Sequence, residues 1–277
     1  MQVLKMDVRD RHQQREFTPR KIAVRALFVI YHVIALYYLV WLLRHINREN
    51  LSVFIPFYIA EVICLISLSL SILIIWRRRF NRPQAMPDLS GAPEVDIFIT
   101  ACGEPIEIVR ETIENASKIR YPHKKVYVLD DGASPEVREA AEAFGCRYLS
   151  RPVKEDRKAG NLNYGLENSS GEFILALDSD QVASPEILER MMGYFKLDHV
   201  AFVQSAQDFC VSENDPFGNR ETVFYQVEQT GKDAFNSAFS CGSAVVYRRS
   251  ALKDIGGFST WNLVEDVHTS LLLHDKG

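Results

Sequence analysis

Carboxylates recur where apolar runs end. Glu104 follows "VDIFIT", Asp130 and Asp131 close "KKVYVLDD", and Asp178 and Asp180 close "FILALDSD". A further acidic pair, Glu265 and Asp266, opens the helical stretch "EDVHTSLLLHDKG". Side chains alternate along an extended backbone, which predicts Asp178 and Asp180 on one side. Two such oxygen donors suit a hard divalent cation, Mg2+ or Mn2+, that shares its shell with phosphate oxygens. With no histidine the pair is a poor zinc site. "DRKAGNLN" adds Arg157 and Lys158 as phosphate partners. The chemistry outlined is a diphosphate held through a metal. Taken singly, each acid is equally a solvated turn residue, and Glu265–Asp266 is equally a helix cap.

The elements that must carry these residues alternate along the chain. After the strand "VDIFIT" comes "PIEIVRETIENASKI", a helix opened by Pro105. After "KKVYVLDDG" comes "SPEVREAAEAF", with Ser134 as its cap. "CRYLSR", "EFILALDSD" and "VAFVQSAQ" read as further strands, "KAGNLNYGLENS" and "SPEILERMMGYF" as helices. Such alternation predicts an α/β domain with a mainly parallel sheet and helices on both faces. In that architecture ligands bind beyond the carboxyl ends of the strands, which is where the acids fall.

The first eighty residues are of another kind. "IAVRALFVIYHVIALYYLVWLL" (22–43) and "LSVFIPFYIAEVICLISLSLSILIIW" (51–76) each reach the roughly 20 residues that cross a bilayer as a helix. Arg9, Arg11, Arg15, Arg20 and Lys21 precede the first run, and Arg77, Arg78, Arg79 and Arg82 follow the second. The loop between them holds only Arg44 and Arg48. This asymmetry predicts a multi-pass inner-membrane protein with a short external hairpin, and a cytosolic domain in contact with membrane lipid. The expected organisation is a tail and helix hairpin over 1–80, a Pro-rich linker over 81–94, and the cytosolic domain over 95–277.

Net charge is -4, which argues against nucleic acid as a partner. Cys64, Cys102, Cys146, Cys210 and Cys241 form no CxxC pair, so neither a zinc ribbon nor a disulfide framework is indicated.

The ordered set "VDIFITACGEP", "VLDDG", "KAGNLN", "LDSD", "FVQSAQDF", "FSCGSAVVYRR", "IGGF" and "VEDVHTSLLLHDKG" resembles the membrane-embedded family 2 glycosyltransferases. Within them it is most similar to bacterial cellulose synthase catalytic subunits. The resemblance implies a GT-A fold and inverting transfer of glucose from a UDP-glucose donor to a growing β-glucan acceptor. It implies that Glu104, Asp130 and Asp131 belong to the nucleotide pocket and that Lys158 contacts the nucleotide. Asp178 and Asp180 would hold the metal and diphosphate, and Cys241, Gly242 and Ser243 would lie by the acceptor. Asp266 takes the place of the catalytic base, with Glu265 beside it.

Two departures stand out. Val264 replaces the threonine that often precedes the acidic pair. The family also continues into a Gln-x-x-Arg-Trp motif and further membrane helices, which "HDKG" does not reach. The expectation is therefore the front part of a synthase, with other synthase subunits as possible partners. Two alternatives stay open: a synthase of the hyaluronan, chitin or mannuronan type, and a non-catalytic nucleotide-sugar-binding membrane protein.

Overall fold

The computed structural model describes residues 3–76, 91–210 and 223–277, in two compact units that meet in sequence at Arg78–Arg79. Most of the expected linker, 81–94, lies outside the described residues.

The first unit is a helical hairpin. Helix α1 runs Val3–Arg44 and α2 runs Leu51–Trp76. The segments Ile22–Arg44 and Arg48–Trp76 are long and apolar enough to cross a membrane. Asn47 turns the chain by accepting a hydrogen bond from the Glu49 amide at 3.0 Å. His32 Nε2 meets Ser69 Oγ at 2.8 Å, and the Arg25 guanidinium lies 4.7 Å from the Trp76 ring centroid. These two contacts fix the antiparallel register of the hairpin. Among the described side chains Leu39 and Ile72 are buried, while most of the other long apolar side chains of the two helices are exposed.

The second unit is an α/β domain. In chain order it contains β1 (Val95–Ala101), α3 (Ile106–Ser117), β2 (Lys124–Asp130), α4 (Pro135–Ala143), β3 (Arg147–Leu149), α5 (Arg157–Glu167) and β4 (Phe173–Asp178). Then come α6 (Ile187–Met191), β5 (Phe202–Gln204), a π-helical turn (Phe224–Gln229) running into α7 (Thr230–Asp233), β6 (Val245–Arg248), α8 (Arg249–Asp254) and α9 (Glu265–Lys276). The sheet order is β3-β2-β1-β4-β6-β5. β1 pairs in parallel with both β2 and β4, and β2 with β3.

The sequence pattern does not disclose β6, a four-residue strand that enters antiparallel between β4 and β5. Its direction matters for the site. β6 begins at Val245, opposite Ala176 near the end of β4 and opposite Gln204 at the end of β5. The segment before it therefore arrives at the same edge as the carboxyl ends of β1, β2 and β4.

Strand alternation builds two cores. Val95, Ile97 and Ile99 join Val109, Ile113, Ala140 and Leu188 on one face; Phe98, Ile174 and Tyr247 join Leu162, Leu252 and Leu273 on the other. Helices thus cover both faces, and the chemistry is left to the edge.

The tripeptide Ser-Pro-Glu opens two helices with different outcomes. Ser134 Oγ accepts the Val137 amide at 3.3 Å and caps α4. Ser184 pairs with Glu186 instead, and α6 runs only five residues before tightening into a 3-10 turn.

Candidate active site

Two clusters form at this edge. The first surrounds the loops after β1 and β2. Glu104 folds back so that Oε2 accepts the Cys102 amide at 2.6 Å, across Gly103 at φ 98°. Asp130 is buried and shapes the turn after β2: its oxygens accept the Gly132 and Ser134 amides, each at 2.7 Å, and the Tyr148 hydroxyl at 2.9 Å. Its carboxylate is thereby engaged within the loop itself.

Asp131 is held differently. Its amide donates to the Ala101 carbonyl at 2.9 Å, which fastens the two loops together. Its carboxylate takes a two-pronged contact from Arg151, Nε at 2.8 Å and Nη2 at 2.7 Å. Both side chains are almost fully enclosed, 6% and 7% exposed. Hydrogen bonding to Asp131 raises the Arg151 pKa further. Arg151 also donates to the carbonyls of Glu155 and Arg157, so it ties β2 to the start of α5. The sequence reading missed Arg151, whose neighbours "LSRPV" carry no motif.

The "KAGNLN" run reads as a set of fasteners. A Cβ on Gly160 would lie 2.3 Å from Arg151 Nη1 and 2.3 Å from the Glu155 carbonyl, so only glycine admits this approach. Asn161 Nδ2 donates to the Leu129 carbonyl at 2.8 Å. Asn163 exchanges two hydrogen bonds of 2.8 Å with the Phe258 backbone. Asp156 and Arg157 both adopt positive φ where the loop turns into α5, a strained entry that the Arg151 contacts hold.

The result is that Lys158 is aimed into the second cluster. Its Nζ is ion-paired with Asp178 Oδ1, donates to the Gly242 carbonyl at 3.0 Å, and lies 3.7 Å from Glu265 Oε1. One ammonium thus joins four stretches far apart in sequence. Ser243 Oγ accepts the Asp178 amide at 2.8 Å, locking the end of β4 to the start of β6.

Gly242, at φ 75°, passes so close to α9 that an added Cβ would stand 3.1 Å from both Asp266 Oδ2 and Lys158 Nζ. Asp266 is held from behind: Ser270 Oγ donates to its carbonyl at 2.7 Å and accepts the Ser240 amide at 2.8 Å. Neither Glu265 nor Asp266 acts as a helix cap; Val264 occupies that position without a side-chain bond. Glu265 is buried, and burial pushes its carboxyl above the ordinary value while Lys158 pulls the other way.

Cys241 lies under this loop. Its amide donates to Gln204 Oε1 at 2.8 Å, and Gln229 Nε2, at the end of the π-helical turn, contacts its Sγ at 3.3 Å. Burial pushes the thiol up, which leaves it an inert packing group near neutral pH. Gln204 and Gln229 were not singled out from sequence; both are strand-end or helix-end amides whose role appears only when the loop closes on them.

One expectation changes. β4 stops at Asp178, and Ser179–Asp180 form a turn, with the Gln181 amide donating to the Asp178 carbonyl at 3.1 Å. Strand alternation therefore does not govern Asp180. The turn forms because the Ser179 carbonyl is drawn to Thr112 Oγ1 of α3 at 2.6 Å. Asp180 is exposed and Asp178 partly so. Among the described residues no three His, Cys, Asp or Glu side chains gather as a metal cage. The oxygen-only pair fits Mg2+ or Mn2+ of the kind that completes its shell with phosphate and water, and does not fit a closed protein site.

Gly242→Ala is expected to destabilise the domain by about 1 kcal/mol or more, since φ is positive and the new methyl meets Asp266. The unfolding midpoint of the purified variant checks this. An unchanged midpoint would show that the loop has room to relax.

The sheet order and the position of the carboxylates define a nucleotide-sugar transferase architecture of the GT-A type. Residues 96–256 match the family Glycosyl transferase family 2. The chain belongs to that family. It is 40% identical over 198 residues to cellulose synthase 1 catalytic subunit [UDP-forming] of Komagataeibacter xylinus, a match covering 67% of this chain and 26% of that protein. It is 34% identical over 271 residues to the cellulose synthase catalytic subunit [UDP-forming] of Komagataeibacter sucrofermentans, covering 91% of this chain and 36% of that protein. The chain thus spans well under half the length of these curated relatives. Among solved structures, a mannosyltransferase from Pyrobaculum calidifontis in complex with GDP-Man and Mn2+ shares the fold, with a TM-score of 0.60 at 19% identity. That match covers 78% of this chain and 62% of that one.

Proposed function

We propose that this chain carries the donor and transfer site of a UDP-glucose-dependent β-glucan synthase of the cellulose type, working at the cytoplasmic face of the inner membrane. The observation that carries the proposal is the junction at Lys158, where Asp178, Gly242 and Glu265 meet with Asp266 alongside. The UDP-forming relatives support the choice of donor.

In this reading the uridine lies by Glu104, Asp130 and Asp131, and Lys158 faces the diphosphate. Asp178 and Asp180 would hold Mg2+ or Mn2+, which when bound would offset the negative charge of the departing diphosphate. Asp266 accepts the proton of the acceptor hydroxyl as that oxygen bonds to the sugar C1; the C1–O bond to the diphosphate breaks and UDP leaves with the electron pair. Attack from the face opposite UDP inverts the anomeric carbon. Glu265, buried and held by Lys158, orients the start of α9. Cys241–Ser243 border the acceptor terminus, and further synthase subunits and lipid complete the surroundings.

Calorimetric titration of UDP into the chain in detergent, with and without Mg2+ or Mn2+, tests the donor site. Binding is expected to require the cation and to fall at least about tenfold in Asp178→Asn/Asp180→Asn, a loss of about 1.4 kcal/mol. Metal-independent binding, or binding untouched in the double variant, would remove the metal assignment. Incorporation of labelled glucose from UDP-glucose, competed with other UDP-sugars, tests the sugar.

A further inference from the structure

Lys158 spends its hydrogen-bond donors inside the protein. Its stem rises from the first turn of α5, whose entry is held by Arg151 and whose later turns are fastened to the Leu129 and Phe258 carbonyls by Asn161 and Asn163. An ammonium has three donors and accepts nothing. One reaches Asp178 Oδ1 and one the Gly242 carbonyl at 3.0 Å, and Glu265 Oε1 stands 3.7 Å away. A further contact, such as a diphosphate oxygen, therefore has to displace one of these partners. They are not equally held. The Glu265 side chain is 11% exposed at the buried start of α9, and that of Asp178 is 36% exposed. Asp178 Oδ1 takes only a long contact of 3.4 Å from Thr100 Oγ1 beside the ammonium. The other Arg or Lys pair of the site, Arg151 with Asp131, is enclosed and two-pronged. An ion pair as open to water as Lys158–Asp178 is weakly held by comparison.

We infer that Lys158 is an exchangeable resident cation: its ammonium holds the Asp178 carboxylate until a diphosphate draws it away, so that Asp178 is released to a divalent ion only together with the nucleotide. The inference rests on the reading of Asp178 as a metal ligand. An ammonium and a divalent ion repel each other and require the same oxygen, so each lowers the affinity of the site for the other. A diphosphate offers the ammonium charge-assisted partners of the kind it gives up. The flexible four-carbon stem lets the head move while α5 stays fixed, and Gly242 and Glu265 remain as its anchors. The competing arrangement is a permanent structural pair, in which Lys158 stays on Asp178 and has no influence on when a divalent ion enters.

The test is a titration of the full chain in detergent with Mn2+ alone, free Mn2+ being read from its electron paramagnetic resonance signal. Lys158→Met keeps the length of the stem and removes the charge, and is expected to bind Mn2+ at least about tenfold more tightly than the unmodified chain in the absence of nucleotide. Lys158→Arg keeps the charge and should stay within about twofold of the unmodified chain. Adding Asp178→Asn to Lys158→Met should abolish the gain. UDP should tighten Mn2+ binding about tenfold or more in the unmodified chain, and less in Lys158→Met. Where near-UV circular dichroism shows that Lys158→Met does not fold, Lys158→Gln, which keeps a donor for the Gly242 carbonyl, takes its place. Mn2+ affinity that is unchanged or weaker in the neutral variant overturns the inference, as does an equal gain in Lys158→Arg or a gain that survives Asp178→Asn. If that happens while the unmodified chain binds Mn2+ with UDP, the donor reading stands alone. A neutral variant that gains Mn2+ in a chain that binds no UDP would sink the donor reading and leave the competition for Asp178. Mn2+ bound by neither chain, with or without UDP, overturns both.

Discussion

Asp266→Asn is expected to lower sugar transfer by about 10²–10⁴-fold while UDP binding persists. The substitution keeps shape and keeps an oxygen to accept the Val267 amide, which Asp266 Oδ1 does now at 2.8 Å. What it removes is the ability to take a proton. Glu265 provides the internal comparison, because it precedes Asp266 and carries the same group. Burial favours its neutral form, and its carboxylate is turned toward Lys158. Glu265→Gln is therefore expected to cost much less than Asp266→Asn. Initial rates of UDP release, with UDP affinity measured in parallel, decide the matter. If Asp266→Asn keeps more than about a tenth of the rate, Asp266 is not the base. If Glu265→Gln is the inert variant, the two roles must be exchanged.

Arg151→Ala is expected to destabilise the α/β domain by about 3–5 kcal/mol, since it leaves the buried Asp131 carboxylate without its partner. Two backbone carbonyls, of Glu155 and Arg157, would lose a donor at the same time. Lysine cannot replace the two-pronged contact, so Arg151→Lys should recover only part of the loss. Removing both charges as Asp131→Asn/Arg151→Met should cost less than the sum of the single changes, because no bare charge then stays buried. Unfolding followed by near-UV circular dichroism supplies the measurement. A loss below about 1 kcal/mol for Arg151→Ala would mean that water reaches Asp131 and that the pair does not organise the loop. Because Arg151 also holds the strained entry to α5, UDP affinity should fall with stability in this series.

The mainly parallel α/β sheet, the two long apolar helices at the N-terminus and the strands β1, β2 and β4 were legible in the sequence for one reason. Each is written in a local apolar period: 2.0 or continuous for the strands, 20-odd residues for the helices. β6 was not legible. "VVYR" is four residues long and follows "SCGSA", whose polar character reads as loop. Only pairing on both sides, with β4 and with β5, makes it a strand. The same limit applies to Asp180, where the alternation of "LDSD" suggested a strand position and a hydrogen bond from Thr112, in a different helix, made a turn.

The acids, the lysine and the glycines of the site are properties of the sequence alone, as is their order along the strand ends. What they hold was decided by tertiary structure. Lys158 and Gly242 are 84 residues apart, yet they meet because β6 runs antiparallel to β4 and delivers its preceding loop to the edge that α5 overlooks. Arg151 gained its place because Gly160 leaves room for it, and Asp131 became an internal ion-pair partner in the same step. Residue type sets which charges a chain can offer. Which of them face one another, and which are consumed in holding the loops, follows from contacts between segments whose separation no local period encodes.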